Sequence, residues 1–170
     1  PSKSRGLGDV YKRQLLQDIK NFPKKAHPMD VARTAVSIMG LEDKETKDNS
    51  AKANMRKIMR IFAKTPVALA AFYRSRKGKK IISPKNNLSF SENFFYMCFG
   101  KVPNEDIVKA FDVSLILYAE HSFNVSTFTA RTITSSLSDI HGAITGAIAS
   151  LKGPLPVSYT HLTLPTNDRV

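Results

Sequence analysis

Apolar residues along this chain recur at helical spacing, in blocks separated by proline, glycine and charged stretches. Leu15, Leu16 and Ile19 begin a short helix that Pro23 ends. His27-Pro28 opens a second helix, with proline at or near the first helical position, where its missing N–H removes no intrahelical bond. The apolar face of that helix is Met29, Val31, Ala32, Val36 and Met39, and Gly40 is expected to stop it. The charged stretch from Leu41 to Ser50 reads as a loop. Asn49 or Ser50 can cap the long helix that follows, whose expected buried face is Met55, Ile58, Met59, Phe62 and Ala63.

Pro66 interrupts that run: either a new helix starts there, with Val67, Leu69, Ala70, Phe72 and Tyr73 apolar, or one helix is kinked. Gly78 and Pro84 bracket a basic loop, and Ser91 to Phe99 reads as a short aromatic-rich helix stopped by Gly100. Asn104 is placed to cap the next helix, expected to bury Ile107, Val108, Phe111, Leu115 and Tyr118. After a break around Ser122 to Asn124, a last long segment runs from Ser126 to Leu151. No stretch alternates at period two over strand length, so the expected fold class is all-α. In the last segment Gly142, Gly146 and Ser150 recur every four residues. Glycine in a helix costs ~1 kcal/mol against alanine. Two glycines on one face therefore point to close helix–helix approach, inside one core or at a subunit interface.

The chain has 170 residues, 42% hydrophobic and 24% charged, enough to bury the core of one domain. Cys98 is the single cysteine, which excludes an internal disulfide and a multi-cysteine zinc site. Between Met97 and Phe99 it reads as a buried structural thiol. No apolar run approaches the ~20 residues of a membrane span. The N-terminus lacks a signal-peptide layout, and a cytoplasmic setting is expected. The formal charge of +12 is uneven: Lys52 to Lys85 holds eleven Lys or Arg and no Asp or Glu. That segment suits a solvated helix face, a nucleic-acid footprint, or a surface for a polyanionic cofactor, and charge alone does not separate them.

The histidines are His27, His121, His141 and His161; none has metal-binding spacing or a cysteine partner, and no metal site is expected. Glycine-rich phosphate loops and a GxSxG elbow are absent. His27 reads as a local cap or surface residue and His141 as a structural residue in mid-helix. His121 is different, lying where an apolar helix runs out, in YAEHSFNVSTFTAR, with Asn124, Ser126 and Thr127 after it. Imidazole, amide and hydroxyl groups gathered at a helix terminus suit either a capping cluster or a site for a small polar anion.

The two ends differ from the middle. Residues 1–14 (PSKSRGLGDVYKRQ) show no apolar period, and residues 156–170 (PVSYTHLTLPTNDRV) are rich in Thr and Pro. GLGDVYKRQ and VSYTHLTLPT resemble translated adapter sequence, so both ends are expected to be non-native tails outside the fold. Removing Lys3, Arg5, Lys12, Arg13 and Asp9 with the first tail leaves +9 on residues 15–155. His161 falls in the second tail and is expected to carry no function.

Residues 15–155 resemble the citrate synthase family, of the citrate/2-methylcitrate type. The strings that carry the resemblance are HPMDVARTAVSIMG, FAKTPVALAAFYRSRKGKK, FSENFFYMCFGKVPNEDIVKAFDVSLILYAEH and NVSTFTARTITSSLSDIHGAITGAIASLKGPL, in order and spacing. The resemblance implies a multi-helical fragment of the large domain of a citrate synthase-like fold. It implies an acyltransferase that condenses acetyl-CoA or propionyl-CoA with oxaloacetate and hydrolyses the thioester, with the acyl-CoA as substrate and no separate cofactor. It also implies a homodimer, with neither nucleic acid nor membrane as partner.

In such enzymes an aspartate takes the acyl proton and a histidine hydrogen-bonds the enolate oxygen. A second histidine polarises the oxaloacetate carbonyl, and arginines hold the carboxylates. Carried over by residue, His121 is implied to bind oxaloacetate, and Asn124 and Ser126 match positions that shape that corner. Ser122 departs from the Glu or Gly frequent in relatives. The enolate-stabilising histidine is expected directly after Leu155, where the chain has Pro156. No catalytic residue is therefore assigned, and the chain is expected to be inactive as it stands. The rival readings are a basic all-α nucleic-acid-binding module and a helical self-association module using the Gly142/Gly146 face.

Overall fold

The computed structural model describes residues 14–119 and 124–153, and every regular element among them is a helix. Helix α1 covers residues 14–21, with Gln14 bonded to Asp18. It is followed by α2 (Pro28–Glu42), α3 (Ala51–Arg76), α4 (Phe90–Phe99), α5 (Glu105–Leu117), α6 (Val125–Thr134) and α7 (Ile140–Ser150). The all-α expectation is met. The expectations about residues 1–13, Glu120 to Phe123 (His121 among them) and residues 154–170 lie outside the described residues.

The caps explain where the helices start. His27 Nδ1 accepts from Met29 N at 3.2 Å ahead of Pro28, and Ser50 accepts from Ala53 N. Ser89 and Glu92 form a reciprocal capping box, and Asn104 accepts from Ile107 N at 3.1 Å. Gly100 closes α4 at φ 80°, a left-handed conformation that a Cβ disfavours.

Two expectations about the elements are corrected, and the choice left open at Pro66 falls to a single helix. Gly40 does not stop α2, which runs on to Glu42. Its role is close approach: a Cβ at Gly40 would stand 2.9 Å from His141 Cβ on α7. Pro66 does not divide α3, which is continuous from Ala51 to Arg76; Thr65 Oγ1 donates to Ile61 O in the turn before it, at 2.7 Å. The last segment is two helices, not one. Residues 135–139 separate α6 from α7, and Leu137 there adopts φ 63°. Asp139 restarts the chain by accepting from His141 N and Gly142 N at 2.9 and 3.0 Å.

Helix α7 packs against α6, α2 and α3; α3 also meets α2 and α4, and α5 rests on α4. The main core joins Leu15 and Ile19 of α1, Val31, Ala35 and Met39 of α2, and Ala68, Ala71 and Phe72 of α3. A second cluster holds Ala70, Met97 and Cys98. Burial pushes the Cys98 thiol up to about 11 against the opposing charge of Arg74, as a structural thiol requires.

The expected buried faces of α3 and α5 are corrected. On α3, Met55 and Phe62 are 60% and 61% exposed, and Ile58, Met59 and Ala63 are exposed too. The side that packs carries Ala53, Lys57, Ile61, Ala68, Ala70, Ala71 and Phe72. On α5 no residue is buried, and Ile107, Leu115 and Tyr118 are exposed. These apolar faces border an open groove between α3, α4, α5 and α7, lined by Phe62, Pro66, Phe90, Phe111, Leu115 and Ile148 among others.

Candidate functional site

The polar corner expected around the α5–α6 junction is partly visible. Helix α5 ends in a tightened turn, with Tyr118 N donating to Ser114 O and Ala119 N to Ile116 O at 3.0 and 3.1 Å. The chain re-enters at Asn124, the N-cap of α6, at φ −64° and ψ 126°. Asn124 Oδ1 accepts from Ser126 N at 2.9 Å and also from the Ser126 hydroxyl. Asn124 thus sets the direction of the chain as it leaves residues 120–123, and Ser126 holds that amide in place. His121 lies outside the described residues, so its placement relative to Asn124 is not described.

A second polar cluster was missed in the sequence. It gathers where α2 ends, α3 passes and α7 begins. Arg60 grips Asp43 with two nitrogens at 2.8–3.0 Å and reaches Glu45 at 2.8 Å, while Arg56 bonds the far side of Glu45. The two guanidinium groups hold Glu45 down to about 2. Burial opposes ionisation of Asp43, but the Glu45 backbone N–H and Arg60 outweigh it, keeping this carboxyl below its ordinary value.

Fully buried Lys57 donates to the Asp48 carbonyl at 2.6 Å, tying down the connection between α2 and α3. His141 is at the second position of α7 rather than mid-helix, and is 2% exposed. Glu42 has both carboxylate oxygens buried without a hydrogen-bond partner, and burial raises it, opposed by Lys64. Spacing alone could not reveal this cluster: Asp43, Glu45, Arg56 and Arg60 meet across the α2–α3 connection, and His141 joins them only where α7 packs on α2.

Among the described residues no group of three or more His, Cys, Asp or Glu side chains could hold a metal ion. No described helix is long and apolar enough to cross a membrane. The basic segment engages the chain's own groups. Arg74 donates to the carbonyls of Lys80 and Cys98. Lys77 sits over the Tyr73 ring, Lys85 over Tyr96 and Arg76 over Phe72. These four of the segment's eleven cations thus rest on aromatic rings or backbone carbonyls of the chain itself.

The Gly142/Gly146 face also finds its partner inside the chain. A Cβ on Gly146 would overlap Ile133 Cδ1 of α6 and stand 3.5 Å from Thr129 Cγ2. A Cβ on Gly142 would meet the Ser138 hydroxyl at 3.1 Å. Of the two readings left open by the spacing, close packing within one chain is the one this geometry supports.

The family model described as citrate synthase, C-terminal domain, matches residues 5–158. The chain belongs to the citrate synthase family. That match takes in ten residues of the first presumed tail and three of the second. The chain is 49% identical over 143 residues to 2-methylcitrate synthase of Mycobacterium tuberculosis, covering 84% of this chain and 36% of that protein. It is 52% identical over 149 residues to 2-methylcitrate synthase 2 of Corynebacterium glutamicum, covering 83% and 38%.

Among solved structures, citrate synthase from Thermotoga maritima superposes with a TM-score of 0.71 at 36% identity, over 91% of this chain and 42% of that one. The citrate synthase of Thermoplasma acidophilum, solved as a ternary complex with carboxymethyl coenzyme A and oxaloacetate, gives 0.73 at 25% identity, over 91% and 42%. The chain thus spans well under half the length of the citrate synthases it matches.

Proposed function

We propose that this chain forms part of the large helical domain of an enzyme that condenses acetyl-CoA or propionyl-CoA with oxaloacetate, and that its own contribution is the oxaloacetate corner. His121 is the proposed substrate ligand, donating a hydrogen bond to oxaloacetate. Asn124, three residues after His121, caps the start of α6. The observation that carries this reading is the capping arrangement of Asn124 and Ser126, three and five residues after His121, in a chain whose family membership is shown. The Thermoplasma acidophilum complex with oxaloacetate supports the choice of ligand. Assembly as a homodimer in the cytoplasm belongs to the same proposal and rests on the resemblance. The acyl-CoA is a substrate, and the proposal assigns no catalytic residue among the described ones.

The test is a chimera in which residues up to Leu155 are joined to the remaining sequence of the Mycobacterium tuberculosis relative. It should release CoA when given acyl-CoA and oxaloacetate, whereas the 170-residue chain alone should not. In the chimera His121→Ala should raise KM for oxaloacetate by roughly 10- to 100-fold, the loss of a hydrogen bond to a charged ligand at about 1.5–3 kcal/mol. KM for the acyl-CoA should change little. An unaltered oxaloacetate KM would remove His121 from the site.

A further inference from the structure

His141 takes no part in the reading above, yet it is buried where α2, α3 and α7 meet. Its Nε2 is 3.5 Å from Asp43 Oδ2 and its Nδ1 is 3.6 Å from Asp139 Oδ1. Both separations exceed a good hydrogen bond, and Nδ1 has no hydrogen-bond partner. On the α2 side the ring lies against the bare backbone of Gly40, with no room for even a methyl group between them. From α3 the cations Lys57 and Arg60 face it. Glu42, Lys44, Glu45 and Lys64 line the hollow beside it. The only charged residue of α6, Arg131, is exposed to solvent.

We infer that His141 is an acid-sensitive latch: uncharged, it lets the first turn of α7 seat on Gly40 of α2, and a proton on the ring in mildly acidic solution loosens that seat. Two carboxylates flank the ring, but each is already engaged. Asp43 is shared with the two-pronged grip of Arg60, and Asp139 accepts two backbone N–H groups at the head of α7. The two carboxylates still favour a proton on the ring more than Lys57 and Arg60 oppose it, and it is the burial of the ring, with Nδ1 unpartnered, that outweighs them. The imidazole is therefore held below its ordinary value, burial being the larger cause.

The direction of the pH effect follows. In the unfolded chain His141 takes up its proton near the ordinary value of about 6.5. Above that, both states are neutral and stability is complete. As pH falls from there through the lower folded midpoint, the unfolded chain holds the extra proton and folding weakens, roughly tenfold in the folding equilibrium per unit of depression.

Proton NMR of the ring signals of the full chain, titrated from neutral to mildly acidic pH, tests this. His27→Asn, His121→Asn and His161→Asn variants would assign the signals. The His141 midpoint should lie below about 6.5, and the thermal midpoint of the chain should drop across the same interval, with a smaller drop in His141→Gln. A His141 midpoint at or above the ordinary value would mean that the carboxylates prevail and would overturn the inference. So would a His141→Gln variant with the parent's full pH dependence. If His141→Gln does not fold, the titration of the parent chain decides alone.

Discussion

Replacing Gly146 by alanine sets two effects of similar size against each other. Gly146 lies inside α7, where alanine gains about 1 kcal/mol of helix propensity over glycine. The added Cβ would overlap one atom, Ile133 Cδ1, while Thr129 Cγ2 at 3.5 Å and Ile133 Cγ1 at 3.7 Å are ordinary neighbours. Relieving that overlap means turning Ile133 off its rotamer, at about 0.5–1.5 kcal/mol, or parting α6 from α7, with overpacking costs of about 1–3 kcal/mol. Gly146→Ala should therefore range from nearly neutral, within about 0.5 kcal/mol, if Ile133 turns, to destabilised by up to about 2 kcal/mol if the helices part.

Ile133→Val removes the offending Cδ1 itself and should cost at most about 0.5–1.5 kcal/mol, nearer the low end because Ile133 is only half-buried. In the double variant the propensity gain is free of the overlap, so stability should return close to that of the parent, with a coupling of about 1–2 kcal/mol. Urea unfolding of the four proteins, followed by circular dichroism, measures all three terms. Effects that add within about 0.5 kcal/mol would refute the contact. A Gly146→Ala protein of unchanged stability but altered sedimentation would return this face to a subunit interface.

Two further outcomes follow from the geometry. Burial of Cys98, with its thiol pushed up to about 11, should leave it unreactive to Ellman's reagent near pH 8 until denaturant is added, and a full equivalent of rapid labelling in the native chain would contradict that placement. Leu137 is 83% exposed and left-handed, so Leu137→Asn should raise stability by up to about 1 kcal/mol in thermal unfolding, since asparagine tolerates that conformation and little burial is lost.

What the sequence revealed was local. Caps and stops are written in one or two residues, and Ser50, Asn104 and Gly100 act as read. Gly40 misled because glycine has two uses, ending a helix and admitting a neighbour, and the neighbour at Gly40 is His141, a hundred and one residues later in the chain. The break between α6 and α7 escaped because residues 135–139 hold neither proline nor glycine, and the left-handed turn falls on a leucine. An aspartate two residues before a buried histidine was the available sign, since Asp139 caps α7 as aspartate commonly does. The cluster of Asp43, Arg60 and His141 could not be read at all, because charge pairing across a connection and with a remote helix leaves no period.

The misreading of α3 has a more general cause. An amphipathic pattern weighs side chains by bulk, so Met55, Ile58, Met59 and Phe62 dominate the helix and draw the buried face toward themselves. Close packing between helices selects for the opposite quality. The buried residues of α3 are mostly small, Ala53, Ala68, Ala70 and Ala71 among them, and a methyl group lets two backbones approach where a methionine would hold them apart. The packed side also accepts a lysine, because Lys57 reaches the Asp48 carbonyl and so arrives with its hydrogen bond made. Helix α3 therefore carries two faces fit for burial, a small-residue face covered within this chain and a bulky apolar one bordering the groove. Periodicity finds the second more readily than the first, although the first is the one that positions α2 and α3 against each other.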